Sequence, residues 1–351
     1  MSKRTGKIKV LIIDDSALIR ALLSEVLKSH PDIEVVGAAC DAYEARELIK
    51  QTSPDVLTLD IEMPRMNGIT FLKNLMRLRP MPVVMISTLT QEGAPSTLEA
   101  LELGAIDFVA KPKNEGGGAL ERYRDVILEK VICAANANVH TCAELRAVGG
   151  SKIEVDSTAK LKYGFLCAIG ASTGGTEAIK EVVRVLPEYC PPIVVAQHIP
   201  ETFSRSFAKR LNDAARVNVY EAVHGQPIEP GNVYIAPGNA HLRVALNGGA
   251  YYCELGQDEH INRHRPSVEA LFDSVRNAAG KRSMGVLLTG MGADGAEALL
   301  RMREAGAFTV AQDKASSVVW GMPGAAVKLE AAEKVLPLNK VTRCILKQAF
   351  R

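Results

Sequence analysis

The chain has 351 residues, 47% of them apolar, with 42 Lys and Arg against 40 Asp and Glu for a formal net charge of +2. That length suggests two domains of ordinary size, each with enough apolar residues for its own core. The balanced charge gives no support for a nucleic-acid or anionic-membrane partner, no apolar run approaches the roughly 18 residues of a membrane span, and the scattered cysteines read as reduced thiols of a cytoplasmic protein.

The opening MSKRTGKIKVLIIDDS is basic, but its apolar run is short and ends in two aspartates. It reads as a first strand and not as a signal peptide. From Lys7 to about Ala135 the apolar runs KVLII, EVVGAA, DVLTLD, PVVMIS and AIDFVA alternate with amphipathic segments such as SALIRALLSEVLKSH and AYEARELIKQTS. A final helix is expected over 119–135. Continuously apolar strands that alternate with helices predict a parallel sheet covered on both faces. The stretch NANVHTCAELRAVGGSKIEVDSTAKLK is polar, holds a Gly pair and lacks a period, so it reads as a linker with room for one helical turn.

A second α/β series starts at Tyr163 with GFLCAIG, PIVVAQ, NVYEA, NVYIAP, GVLLTG and FTVAQ. Within it NVYIAP, HLRVAL and AYYCEL are joined by short turns containing Asn or Gly. They predict an antiparallel edge hairpin on an otherwise parallel sheet.

In the first series Asp14 and Asp15 end the first strand and Asp60 ends the third. Carboxyl ends of neighbouring strands converge on one crevice. Three carboxylates there repel one another unless a divalent cation joins them, and Mg²⁺ prefers oxygen ligands. Ser87 ends the fourth strand and Lys111 the fifth. A hydroxyl, a cation and a metal around one carboxylate are what an aspartyl phosphate needs. Each residue alone also suits a helix cap or a solvated charge.

Residues 7 to about 130, with LIIDDS, LDIEMPRMNG, MIST and DFVAKP, resemble a two-component receiver domain. The resemblance implies a flavodoxin-like fold in which Asp60 accepts phosphate from a histidine kinase. It also makes Asp14 and Asp15 acidic-pocket residues and Lys111 the phosphate-contacting cation. Mg²⁺ would be bound by Asp15, Asp60 and the backbone carbonyl of Glu62. Ser87 and Phe108 fall on the switch positions; Phe108, where Tyr is frequent, lacks a hydroxyl to donate.

The second series opens on CAIGASTGGTEAI, a Gly-rich turn between strand and helix. A phosphate-binding loop needs G-x-x-x-x-G-K-[ST], and the Lys is missing; G-x-G-x-x-G fails because Ser172 replaces the second glycine. GASTG matches the nucleophile elbow G-x-S-x-G, although a helix-capping Ser fits the same residues equally well. A nucleophilic Ser needs a base. His198 alone follows a buried parallel-type strand at the same sheet edge, whereas His224, His241, His260 and His264 fall in loops or hairpin edges and read as surface residues. Asp294, in LLTGMGADGAEAL, can orient the imidazole and can also cap the helix that follows it; Asp313 is the runner-up. The backbone N–H of Met291 is an oxyanion candidate. The order Ser–His–Asp differs from the Ser–Asp–His of α/β-hydrolases.

Residues 161–351, with GASTGGTEAI, QHIP, VYIAPGNAHL, RPSVEALF, LLTGMGADGAEAL and WGMPGAA, resemble the chemotaxis methylesterase domain. A receiver joined to it resembles the CheB family of protein-glutamate methylesterases over nearly the whole chain. The resemblance implies a triad of Ser172, His198 and Asp294, with Thr173 and Met291 at the cleft and oxyanion hole. It implies hydrolysis of γ-glutamyl methyl esters on methyl-accepting chemoreceptors, deamidation of receptor glutamines, and inhibition by the receiver until Asp60 is phosphorylated by a chemotaxis kinase. No cofactor is expected for the esterase reaction. The expected organisation is a receiver over 7–130, a joint over 131–160 and a Rossmann-like catalytic domain over 161–351, as a cytoplasmic monomer without nucleic-acid or inserted membrane contacts. The rival is a response regulator with a nucleotide- or DNA-binding output domain.

Overall fold

The computed structural model describes residues 6–87, 93–111, 119–139 and 159–351. It divides into two compact units, Met1–Arg146 and Ala147–Arg351. No described helix is long and apolar enough to cross a membrane.

The first unit runs β1 (Ile8–Ile13), α1 (Ala17–Lys28), β2 (Ile33–Ala39), α2 (Ala42–Thr52), β3 (Val56–Asp60), α3 (Gly68–Leu78), β4 (Val83–Ser87), α4 (Ala94–Glu102), β5 (Asp107–Ala110) and α5 (Ala119–Ala135). Its five strands are parallel in the order β2-β1-β3-β4-β5. The central β3 and β4 are buried at every residue, which is why their sequences are apolar without alternation. Polar side chains start the helices: Asp41 accepts from Tyr43 N and Glu44 N, and Asn67 accepts from Thr70 N. The crevice between β1 and β3, where the strand order turns back, lies below Asp14, Asp15 and Asp60. Helix α5 continues to Ala135, so the first five residues of the expected joint are its last turn. Most of the expected linker, 140–158, lies outside the described residues.

The second unit continues with β6 (Leu166–Ala171), α6 (Gly175–Val183), β7 (Ile193–Gln197), α7 (Glu201–Ala214), β8 (Asn218–Glu221), β9 (Asn232–Ile235), β10 (His241–Asn247), β11 (Ala250–Gly256), α8 (Val268–Ala279), β12 (Ser283–Leu287), α9 (Ala296–Glu304), β13 (Phe308–Gln312), α10 (Met322–Lys328), β14 (Lys334–Leu336) and α11 (Leu338–Ala349). Seven strands form one parallel sheet, β14-β13-β12-β6-β7-β9-β8. The chain fills one side from β6 outward and then returns to fill the other from β12. The switch point therefore lies between β6 and β12, whose Gly170 and Leu287 are in register.

The antiparallel pair is present as β10 and β11, but these two form a separate ribbon and not an edge of the main sheet. NVYIAP is not part of it. Its residues 232–235 are β9, parallel to both β7 and β8, with three of the four residues buried. A run buried on both faces belongs inside a sheet, and that reading outweighs its short spacing from the hairpin.

The core under the ribbon includes Tyr234, Phe272, Leu271 and Val275. Tyr234 is 1% exposed, and its hydroxyl accepts from Glu229 N at 3.0 Å and Asn232 Nδ2 at 3.2 Å. Replacing Tyr234 by Phe keeps the packing but strands these donors. Urea denaturation should show the second unit's transition weakened by about 1–2 kcal/mol, and an unchanged midpoint would show that water satisfies them instead.

Candidate active site

Two groups of chemically competent side chains form, one on the carboxyl edge of each parallel sheet. In the first unit Asp14 and Asp60 are buried and Asp15 is exposed, and oxygens of the three lie within 4.8 Å of one another. Lys111 Nζ is 2.7 Å from Asp60 Oδ2 and 3.1 Å from Asp14 Oδ2. Glu62 N donates to Asp60 Oδ1 at 3.3 Å, which draws that peptide to the cluster. Burial pushes the Asp60 carboxyl up to about 6, against the hydrogen bond from Lys111 and with the help of the Asp14 charge. One ammonium does not neutralise three carboxylates, so the donor set fits a hard divalent cation. A cavity of about 580 Å³ opens over Asp15, Asp60, Glu62 and Ser87. Ser87 Oγ lies 3.0 Å from Thr97 Oγ1 of α4. Phe108 stands buried, with Lys130 Nζ 5.0 Å from its ring centre.

In the second unit β6 ends at Ala171 and the chain turns through Ser172, Thr173 and Gly174 into α6. Gly174 has φ +74°, a left-handed conformation that a side chain would strain. The turn is pinned across the switch point, where Ser172 N donates to Thr289 O at 3.0 Å and Thr289 Oγ1 donates to Thr173 O at 3.0 Å. Gly290 sits so close that a Cβ there would lie 2.9 Å from Ser172 Cβ. His198 follows β7, and its Nδ1 lies 3.1 Å from Ser172 Oγ. On the other side of the ring, His198 Nε2 lies 2.9 Å from Asp294 Oδ2. The structure thus brings together Ser172, His198 and Asp294 from three strand ends. Asp313 is not brought in: its Oδ1 accepts from Ser316 N and Oγ in a local turn.

Asp294 does not cap the helix that follows it, where Gly295 stands at the N-cap. It caps α8 instead, accepting from Val268 N at 2.7 Å and Glu269 N at 3.3 Å. Ser267 Oγ at 2.9 Å and Asn262 Nδ2 at 2.8 Å complete its shell. Burial pushes this carboxyl up, but the His198 bond and charge, Asn262 and the Val268 N–H outweigh it and hold it at about 2. An ionised Asp294 can only accept, so His198 Nε2 must carry its proton and Nδ1 is left as a lone-pair acceptor facing Ser172. Glu269 returns the cap: its Oε2 accepts from Gly295 N at 3.2 Å, and its Oε1 is ion-paired with Arg301 of α9. Two helix N-termini therefore exchange carboxylates.

In the loop after β12, Met291 N–H meets no acceptor among the described residues, and the residue is half-buried. Thr173 is 6% exposed, in the turn itself. Gln197, not singled out from sequence, donates through Nε2 to Ser172 O at 3.0 Å and His198 O at 3.2 Å, so one buried amide holds the backbone of these two residues together.

Two histidines expected at the surface are elsewhere. His241 is fully buried because its side chain turns under the 257–267 loop, with Nε2 2.9 Å from Glu259 O and Nδ1 accepting from Ser267 N. His264, brought back by the same loop through its bridge to Ile261, stacks on His198 with ring centres 3.6 Å apart. Neither placement follows from local pattern, because both depend on how that loop folds over the cleft. The QHIP motif was the only available sign of Gln197, and Ser267 reads locally as an ordinary N-cap.

The chain matches the CheB methylesterase family over residues 167–345 and the response regulator receiver domain over 10–117. It is 66% identical, over 98% of its length and 99% of the relative's, to "Protein-glutamate methylesterase/protein-glutamine glutaminase 2" of Saccharophagus degradans. It is 52% identical to the protein-glutamate methylesterase/protein-glutamine glutaminase of Nitrosomonas europaea, over 97% of this chain and 96% of that one. Among solved structures the catalytic domain of Thermotoga maritima CheB methylesterase is similar with a TM-score of 0.51 and 35% identity, covering 52% of this chain and 98% of that one.

A carboxyl held at about 2, against an ordinary 3.8, stabilises the fold fully above about pH 4, and that contribution disappears as pH falls through about 2. Thermal melts of wild type and Asp294→Asn should differ by about 2 kcal/mol at neutral pH and converge in acid; a gap independent of pH would mean that the carboxyl is not held ionised. The Glu269 side chain bears on Asp294 by holding the N–H of the next residue, Gly295, so Glu269→Ala should lower kcat for ester hydrolysis about tenfold, or about 1.4 kcal/mol, with KM little changed. Steady-state kinetics on methylated receptor fragments check this.

Proposed function

This chain belongs to the CheB methylesterase family, and from that premise we propose that it removes methyl groups from γ-glutamyl methyl esters of methyl-accepting chemoreceptors. It also deamidates particular receptor glutamines, as a cytoplasmic enzyme of chemotactic adaptation. The observation that carries the reading is the continuous hydrogen-bonded line from Ser172 Oγ through His198 to Asp294.

In the first step Ser172 Oγ attacks the ester carbonyl carbon while His198 Nδ1 takes its proton. Asp294 holds the ring in the tautomer that leaves Nδ1 free and stabilises the imidazolium that forms. The N–H groups of Met291 and Thr173 are the oxyanion donors of this reading, worth about 10²–10³-fold for one donor. His198 then gives its proton to the departing methoxide, methanol leaves and an acyl-serine remains. Water, deprotonated by His198, attacks that acyl group and releases the glutamate carboxylate. With glutamine the leaving group is ammonia and the remaining steps are the same.

The receiver, assigned to residues 7–130 with a joint over 131–160 ahead of a catalytic domain over 161–351, is the control element. Asp60 takes phosphate from a chemotaxis histidine kinase, and Lys111, Ser87 and Phe108 respond to it. Asp14 and Asp15 build the acidic pocket; Asp15, Asp60 and the Glu62 carbonyl are the groups that would hold Mg²⁺. When bound, that ion supplies neutralisation of the phosphoryl oxygens. Until Asp60 is phosphorylated the receiver restrains the esterase. Turning a mostly closed population into a mostly open one needs a preference of about 5 kcal/mol. A DNA- or nucleotide-binding output is not favoured, because the methylesterase match occupies residues 167–345.

The test is methanol release from methylated receptor cytoplasmic fragments, with and without a small phosphodonor and Mg²⁺. Release should rise with the phosphodonor in wild type, lose that response in Asp60→Asn and vanish in Ser172→Ala. A chain lacking residues 1–150 should be more active than the unphosphorylated full chain. No release from wild type in either state would overturn the substrate or nucleophile assignment, and equal activity of truncated and full chains would overturn the restraint.

A further inference from the structure

The receiver unit carries a groove between α2 and α3 that none of this chemistry uses. It has a volume of about 400 Å³ and an apolar floor that includes Ile49, Phe71 and Leu75. Helix periodicity explains it. The stripe of α3 that buries Phe71, Leu72, Leu75 and Met76 continues to Leu78 in the last turn, where the helix has run past its cover. Leu78 lines the groove and is 71% exposed.

The rim is basic. Arg46 and Lys50 come from α2, Arg77 from α3, and Arg79 follows it. Lys50 is paired with Glu47 at 2.8 Å. Arg79 donates to Ile49 O and Ser53 Oγ, but Arg46, Arg77 and Arg79 have no carboxylate at ion-pair distance among the described residues. On a chain whose net charge is only +2, four cations around one apolar groove are a local concentration.

We infer that this groove docks an acidic amphipathic helix of a partner protein, with apolar side chains on the floor and carboxylates on the rim. An apolar floor inside a charged rim is how a groove receives a helix at i, i+3, i+4 and i+7 positions. Guanidinium forks match carboxylates in pairs, so the rim selects acidic flanks over neutral ones. A membrane-docking face presents apolar side chains outward beyond its cations. Here Ile49, Phe71 and Leu75 are buried and Leu78 is the one apolar lining residue that stands exposed, which favours a helix over a lipid surface.

The experiment uses the full chain and a phage-displayed library of 18-residue helices with a constant apolar stripe and randomised polar positions. Enriched helices should be acidic beside the stripe. Synthetic copies, followed by fluorescence anisotropy, should bind at least tenfold more weakly to Arg77→Glu/Arg79→Glu and to Leu78→Ser, and more weakly in high salt. All three positions are exposed and lie outside the catalytic unit, so both variants should keep methylesterase activity; Leu78→Ser should also keep the wild-type melting temperature, whereas Arg79→Glu removes the bonds to Ile49 O and Ser53 Oγ. Absence of enrichment, enrichment of neutral or basic helices, or affinities indifferent to both variants overturns the proposal. So does binding of phosphatidylserine vesicles to wild type that is lost in the double variant, since it would assign the face to a membrane.

Discussion

The catalytic unit depends on one carboxylate. Asp294 accepts from His198, Val268, Glu269, Ser267 and Asn262, so a single side chain terminates α8, anchors the 257–267 loop and orients the imidazole. A buried anion is tolerated only when its acceptor sites are filled by donors. Here the donors come from a helix N-terminus, whose dipole also favours negative charge. The group that fixes the tautomer of His198 is therefore placed by the same interactions that hold the fold together. The return bond from Glu269 to Gly295 N makes the arrangement reciprocal, and Arg301 ties it to α9.

The two units use the same residue type in opposite electrostatic settings. Asp60 is buried beside Asp14 with one ammonium to balance both, and its carboxyl rises to about 6. Asp294 is buried beside a helix N-terminus and an imidazole, and its carboxyl falls to about 2. The first environment is deficient in positive charge and fits a further cation. The second is complete, which keeps the carboxylate ionised. In both units the site lies where a parallel sheet reverses its strand order, because only there do loops from adjacent strands part to leave a crevice.

Much of this was legible along the chain. The strands of both units other than β14, the final helix of the first and the two Asp-bearing strand ends are local patterns, since a strand buried on both faces must be continuously apolar; β14 is three residues long and mostly exposed, so it leaves no such run. The three residues of the line from Ser172 to Asp294 were legible as well, because each follows a buried parallel-type strand and parallel strands end on one edge. The place of NVYIAP was not, because a short apolar run suits a hairpin or an interior strand equally until its neighbours are known. His264 and His241 were misread for a similar reason: a loop's sequence does not say what it folds over.

The sequence by itself determined the fold class, the alternation of strands and helices and which strand ends carry Ser172, His198 and Asp294, since these follow from residue periodicity and the geometry of a parallel sheet. Only the tertiary structure decided which nitrogen of His198 faces Ser172, which helix Asp294 caps, and that Gln197 and His264 brace the pair. Those outcomes depend on contacts between segments tens of residues apart, and hydrogen-bond partners at such separation leave no period in the chain.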